Sequence, residues 1–126
     1  TLESVATIAV GALPDMLTFT PDGTRLIVAN EGEPSDDGTV DPVGSVSIID
    51  VRDPRRPTVR TAEFDAFNGR AAELRARGVR LAGAGVSVAQ DVEPEYVAVA
   101  PDGRTAWVTL QENNALAVVD IATAVV

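Results

Sequence analysis

An all-β fold built from one antiparallel sheet module used twice is predicted by three observations. Residues 14–28 (PDMLTFTPDGTRLIV) and 94–108 (PEYVAVAPDGRTAWV) share an apolar run, a Pro-Asp-Gly turn and a second apolar run, spaced 80 residues apart. A further matching strand follows each copy, residues 45–51 (SVSIIDV) against 115–121 (ALAVVDI), at a spacing of 70. One stretch alone breaks the β pattern, and it has helical periodicity. Repetition at a fixed spacing governs the architecture, because each unit must bury its apolar face against a neighbour. The two spacings differ by ten, so the first copy carries ten extra residues between its second and third strands. Those residues fall in the most acidic stretch of the chain.

Each element has a local reason. Residues 1–11 alternate at Val5, Ile8 and Val10 and end at Gly11, which suits the outer strand of a preceding unit. The first unit spans 14–64. Its strands at 16–20 and 25–30 join through Pro21-Asp22-Gly23, where proline presets φ, aspartate is favoured beside it and glycine supplies the left-handed residue. Strands at 45–51 and 57–64 complete the four. In the insertion at 65–93, Phe67, Ala71 and Leu74 fall at i, i+4 and i+7, Glu73 and Arg77 form an i, i+4 pair, and Gly78 stands at the stop. That spacing predicts an amphipathic helix of about three turns, followed by the flexible Gly83-Ala84-Gly85. The second unit, 94–126, is incomplete: strands at 96–100 and 105–110 flank Pro101-Asp102-Gly103, and a third runs over 115–121.

Composition excludes several chemistries. With a net charge of −9, the chain is a poor partner for nucleic acid or an anionic membrane. Neither cysteine nor histidine occurs, so thiolate zinc sites, disulfides, cysteine nucleophiles and the usual neutral-pH base are all missing. Catalysis would have to rest on carboxylates, hydroxyls, arginine or a hard metal. No apolar run is long enough to cross a bilayer, and no basic start leads into an apolar stretch. A start at Thr1 rather than methionine is expected of a processed or excised chain. Ser87 has no histidine to activate it and lacks the second glycine of a nucleophile elbow.

The pattern of apolar strand, Pro-Asp-Gly, apolar strand and Gly-Ser-Val-Ser-Ile-Ile-Asp resembles the YVTN-type β-propeller repeat. Residues 28–37 (VANEGEPSDD), 88–96 (VAQDVEPEY) and 111–120 (QENNALAVVD) resemble the choice-of-anchor I family of bacterial surface proteins. The resemblance implies an exported multi-blade propeller that is extracellular, at the cell surface or periplasmic, and some members carry an alkaline phosphatase label. The fold class expected is a β-propeller fragment of about two four-stranded antiparallel blades with one short helical insertion. Closing a propeller takes roughly 4 to 8 blades, so the expected partners are the remaining blades or other copies of the chain. The blade face carrying Ala115, Ala117 and Val119 is expected to need such a cover, and Tyr96 and Trp107 are expected to pack between blades.

An up-and-down blade puts alternate connections at opposite ends. The acidic loop 31–41, the segments leading into the first strands at 13–15 and 91–95, the loop 111–114 and the insertion share one end. The Pro-Asp-Gly turns and Arg52, Arg55, Arg56 and Arg60 share the other. Glu31, Glu33, Asp36, Asp37 and Asp41 are five carboxylates with no intervening base, joined at the same end by Asp91, Glu93 and Glu112. Clustered carboxylates with loop carbonyls hold calcium or another hard divalent cation, and Gly32 and Gly38 let the backbone bend round an ion. A solvated acidic loop is the competing reading. The leading function is a scaffold and binding module stabilised by calcium; the alternative is part of a metal-dependent, alkaline-phosphatase-like phosphomonoesterase.

Overall fold

A computed structural model describes residues 2–82 and 85–126 of the 126-residue chain. Two antiparallel sheets pack face to face. The first has the order β1 (Pro14–Phe19), β2 (Arg25–Asn30), β3 (Ser45–Asp50) and β4 (Thr58–Glu63). The second consists of β5 (Pro94–Val99), β6 (Thr105–Leu110) and β7 (Ala115–Asp120), and Val125 then bridges back to Asp120. The sheets do not close into a barrel. The repeat extends to an irregularity: register shifts between Pro14 and Met16 on β1 and between Pro94 and Val97 on β5. Proline has no N–H for the ladder, so the break recurs wherever the module begins.

Both hairpin turns form as read. Gly23 and Gly103 sit at φ 68° and 69°, where a side chain would be strained. The Asp22 carboxylate accepts from the Thr24 amide at 3.0 Å, and that of Asp102 from the Arg104 amide at 3.0 Å. A methyl built on Gly103 would lie 3.9 Å from the Pro21 ring, so the two turns stand side by side at one end of the molecule.

Which faces meet is informative. Ile27, Ala29, Val46 and Ile48 of the first sheet are buried against Val97, Ala106, Val108, Ala117 and Val119 of the second, with β1 and β2 nearest to β5. Repeat spacing makes Ile27 the counterpart of Trp107, and Val46 and Ile48 the counterparts of Leu116 and Val118. These counterparts lie on the exposed face of β5–β7. Each sheet thus contributes the opposite side to the interface, as rotary stacking requires and a two-fold arrangement does not.

Four expectations meet the structure as follows. Residues 2–10 form no strand, and none of their backbone groups bonds to another described backbone group. On β7, Ala115, Ala117 and Val119 turn inward, because small side chains fit against the first sheet, and Leu116 and Val118 take the exposed side. Tyr96 and Trp107 share that exposed side, so they do not pack between these two sheets. The helix divides into a 3-10 helix, Asp65–Arg70, and α1, Ala71–Ala76. Its apolar stripe Phe67, Ala71 and Leu74 does pack on the core, and Arg70 and Arg77 both pair with Glu73, at 2.9 and 3.8 Å. Of the glycine-rich stretch, Gly83 and Ala84 lie outside the described residues.

A second short helix, α2 (Val88–Asp91), has no periodicity to announce it. Ser87 caps it: its Oγ accepts from the Gln90 amide at 3.2 Å while the Gln90 side chain accepts from the Ser87 amide at 3.3 Å. Ser87 is therefore a structural hydroxyl.

Candidate functional site

The chain leaves β2 at Asn30, a buried residue whose Nδ2 donates to Ser45 Oγ at 3.1 Å and Ser47 Oγ at 2.9 Å. Beyond it, the amides of Glu31 and Gly32 donate to Leu13 and Ala12, at 2.9 and 3.2 Å. Gly32 is buried at φ 70°, and a methyl there would stand 2.7 Å from the backbone of Val43 and Gly44. Glycine is required because the acidic loop returns across its own start at this point. Gly44 then donates to Ala89 O at 2.8 Å, and Gln90 Nε2 donates to Asp41 O at 3.1 Å, so the loop is fastened to α2 and thereby to the second sheet.

Asn113 fastens the other wall. It is 3% exposed. Its Nδ2 donates to Asp91 O at 2.7 Å and Arg80 O at 3.1 Å, while its Oδ1 accepts the Glu93 amide at 3.1 Å. The Arg80 amide in turn donates to Asn113 O at 2.8 Å. One amide side chain holds the β6–β7 turn, the strap after α1 and the segment leading into β5 in a fixed relation.

Between these walls lies an open cleft of about 540 Å³. Glu31, Glu33, Asp36, Asp91, Glu93 and Glu112 line it, with Arg80 as the one basic side chain. Six of the eight carboxylates singled out from the sequence are therefore brought together. Burial, followed by repulsion from Asp15, Glu33, Glu95 and Glu112, pushes the Glu31 carboxyl above its ordinary value. Glu93 is pushed the same way, first by burial and then by Glu31 and Glu112. Asp91 is engaged, its carboxylate accepting the Ala82 amide at 3.0 Å.

Asp37 and Asp41 do not line the cleft. Asp37 folds its own loop, accepting from the Thr39 amide at 3.0 Å, Thr39 Oγ1 at 2.7 Å and Ser35 Oγ at 2.8 Å. Those donors hold its pKa down at about 2. The Asp41 carboxylate accepts from Gln90 through Oδ2 at 3.3 Å, and its Oδ1 is buried with no protein partner. Among the described residues no three carboxylates stand close enough together to hold one ion. The acidic groups are spread round the cleft walls.

At the opposite end, Arg52 is paired with Asp50, and Arg60 on β4 donates through Nη2 to Ile121 O at 3.0 Å and Nη1 to Ala122 O at 2.5 Å. The arginine cluster is thus partly spent on structure. Arg80, Gln90 and Asn113 are the residues the sequence reading passed over at the site. They belong to no motif: Asn113 lies inside the β6–β7 turn just after Glu112, and the repeat counterpart of Asn30 is Leu110.

No curated protein and no solved structure matches this chain. The family model of the choice-of-anchor I domain matches residues 1–126, from one end of the chain to the other. No helix among the described residues is long and apolar enough to cross a membrane. The repeated sheet module, its acidic rim and the whole-length match lead to one conclusion: the chain belongs to the choice-of-anchor I domain family, a domain type of surface-anchored proteins.

Proposed function

We propose that this chain is a sector of a propeller-type scaffold in an exported surface protein, and that its acidic cleft receives a hard cation such as calcium. The observation that carries the scaffold reading is the burial of inequivalent faces: the two copies stack in the same sense, so a third could follow the second as the second follows the first. Rigid stacking positions loops at one rim, and there the elaboration of this chain has accumulated.

The cation clause is supported by the electrostatics of the cleft. Glu31 and Glu93 are both raised by burial and by neighbouring carboxylates. A bound cation relieves that repulsion and is held more tightly the more carboxylates face it. Walls fixed by Asn113 and Gln90 keep the groups facing each other without a ligand. No three carboxylates among the described residues stand close enough together to hold one ion by themselves, so the proposed cation is held by Glu31 and Glu93 with loop carbonyls and water completing its oxygen shell.

Calorimetric melting with EDTA and with millimolar calcium tests the clause. Calcium at about 100 times its dissociation constant raises the unfolding free energy by about 2.7 kcal/mol, and Glu31→Gln combined with Glu93→Gln should abolish the rise. Equal melting temperatures with and without calcium, and with magnesium or manganese in its place, would refute it.

A further inference from the structure

Asn68 and Gly69 are the chain's one Asn-Gly pair, and they sit exposed in the 3-10 helix Asp65–Arg70. Both ends of the Asn68 carboxamide are engaged. Its Nδ2 donates to Asp65 Oδ1 at 3.2 Å, and its Oδ1 accepts the Ala89 amide at 2.9 Å. Ala89 lies in the first turn of α2, where amides have no partner within the helix. Asn68 thus hydrogen-bonds the 3-10 helix to α2. The acidic loop hangs on α2 in turn, through the Gly44 amide on Ala89 O at 2.8 Å and Gln90 Nε2 on Asp41 O at 3.1 Å.

Asparagine followed by glycine is chemically labile. The Gly69 amide nitrogen, once it has given up its proton, attacks Asn68 Cγ; the N–Cγ bond forms, the Cγ–Nδ2 bond breaks, and Nδ2 leaves as ammonia after taking a proton from solvent. Water then opens the cyclic imide. Cleavage at Cγ leaves aspartate, and cleavage at the main-chain carbonyl leaves isoaspartate, with one extra methylene in the backbone. Glycine in second place leaves the attacking nitrogen unshielded, and nothing lies within 4 Å of a methyl built on Gly69. Ring closure also needs a rotation about the Asn68 Cα–C bond that a 3-10 turn does not permit. The fold therefore sets when this chemistry runs.

We propose that Asn68 is a deamidation site gated by the docking of the 3-10 helix on α2, and that its modification releases that docking irreversibly. While the helix is docked, both carboxamide atoms are held and the backbone stays out of the ring-closing geometry. Once it lifts from α2, the pair becomes reactive. The product does not return to the same contacts. Aspartate puts a second carboxylate where Nδ2 donated to Asp65, and like charges so placed repel; isoaspartate lengthens the main chain within the 3-10 turn. Because α2 anchors Gly44 and Asp41, the loosening reaches the loop that forms one wall of the acidic cleft.

Peptide mapping by mass spectrometry on the full chain, aged at mildly alkaline pH, tests this. In urea, Asn68 should deamidate ahead of Asn30, Asn113 and Asn114, and Gly69→Ala should suppress it. In the native chain the Asn68 rate should fall by at least about tenfold, as for any reaction that waits on local opening. Asp65 is exposed, so Asp65→Ala keeps the fold while removing one of the two holds on Asn68. That variant should raise the native rate by about two- to tenfold, the worth of one hydrogen bond, and leave the rate in urea unchanged. After modification, hydrogen exchange at the Gly44 amide should run about tenfold faster than in fresh protein. A native rate equal to that in urea, an Asp65→Ala rate equal to the wild type, or Gly44 exchange unchanged by modification would each overturn the proposal, as would an Asn68 that outlasts the other asparagines in urea.

Discussion

Gly44→Ala puts a single methyl where the two sheets are joined. Gly44 follows the acidic loop, opens β3 and donates its amide to Ala89 O at 2.8 Å. A β-carbon there would meet Val92 O well inside contact distance, Pro94 Cδ at 2.7 Å and Val92 C at 3.2 Å. Carbon contacts are comfortable at about 3.5–4.0 Å, and these neighbours are backbone and a proline ring, which cannot swing aside. The first sheet must therefore move away from the segment between α2 and β5. Overpacking of this kind costs about 1–3 kcal/mol, and weakening the Gly44–Ala89 hydrogen bond adds about 1 kcal/mol. We expect a loss of about 2–4 kcal/mol in urea unfolding at unchanged m-value, with a fall in Tm of about 4 °C for each kcal/mol in a chain of this size. Gly69→Ala is the control, since nothing lies within 4 Å of its added methyl; it should be neutral or stabilising by up to about 1 kcal/mol. Gly44→Ala within about 0.5 kcal/mol of the wild type, the ordinary range of surface changes, would refute the claim that this close approach welds the sheets.

Stability should pass through a maximum on the acid side of neutrality. Glu31 and Glu93 have raised pKa values in the folded chain, so between the ordinary carboxylate range and those values the folded state binds more protons, and stability rises as pH falls. Asp22, Asp37 and Asp50 act in the opposite sense: held down from 3.8 to about 2 by their hydrogen-bond donors, they contribute fully above 3.8 and lose that contribution as pH falls through about 2. In denaturation measured across this range, Glu31→Gln with Glu93→Gln should flatten the neutral limb and spare the acid limb; an unchanged neutral limb would contradict the crowding of carboxylates in the cleft. Asn113→Asp exchanges a donor aimed at two carbonyls for a charged acceptor beside Glu93. It should cost about 2–4 kcal/mol at neutral pH, for lost hydrogen bonds and unsatisfied buried carbonyls, and less in acid; a pH-independent loss would argue against the electrostatic part.

The repeat, the two Pro-Asp-Gly turns and the strand order were legible because each depends on short-range pattern: alternation, a fixed turn triplet, and a spacing that returns. The grouping of Glu31, Glu33, Asp36, Asp91, Glu93 and Glu112 at one end followed from topology alone, since connections in an up-and-down sheet alternate ends. What escaped the sequence was pairwise. Asp37 has the composition of a ligand but its Oδ1 is taken by Ser35 and Thr39, three residues that make a turn of their own. Asn113 and Gln90 fix the cleft through contacts spanning 20 and 49 residues, and no window of sequence contains both partners. Similarly, β7 is apolar on both faces, so alternation did not say which side turns inward; Ala117 and Val119 face the first sheet because that space suits small side chains. Residues 2–10 have strand-like alternation but, among the described residues, no strand bonded to them, and a strand exists only as one member of a ladder.

Arg60 holds the outer strand of one sheet to the turn that follows the last strand of the other, through the carbonyls of Ile121 and Ala122. Tension entering through the segment after β7 meets that guanidinium first and passes into β4, so the two sheets resist together and β7 is spared being unzipped one hydrogen bond at a time.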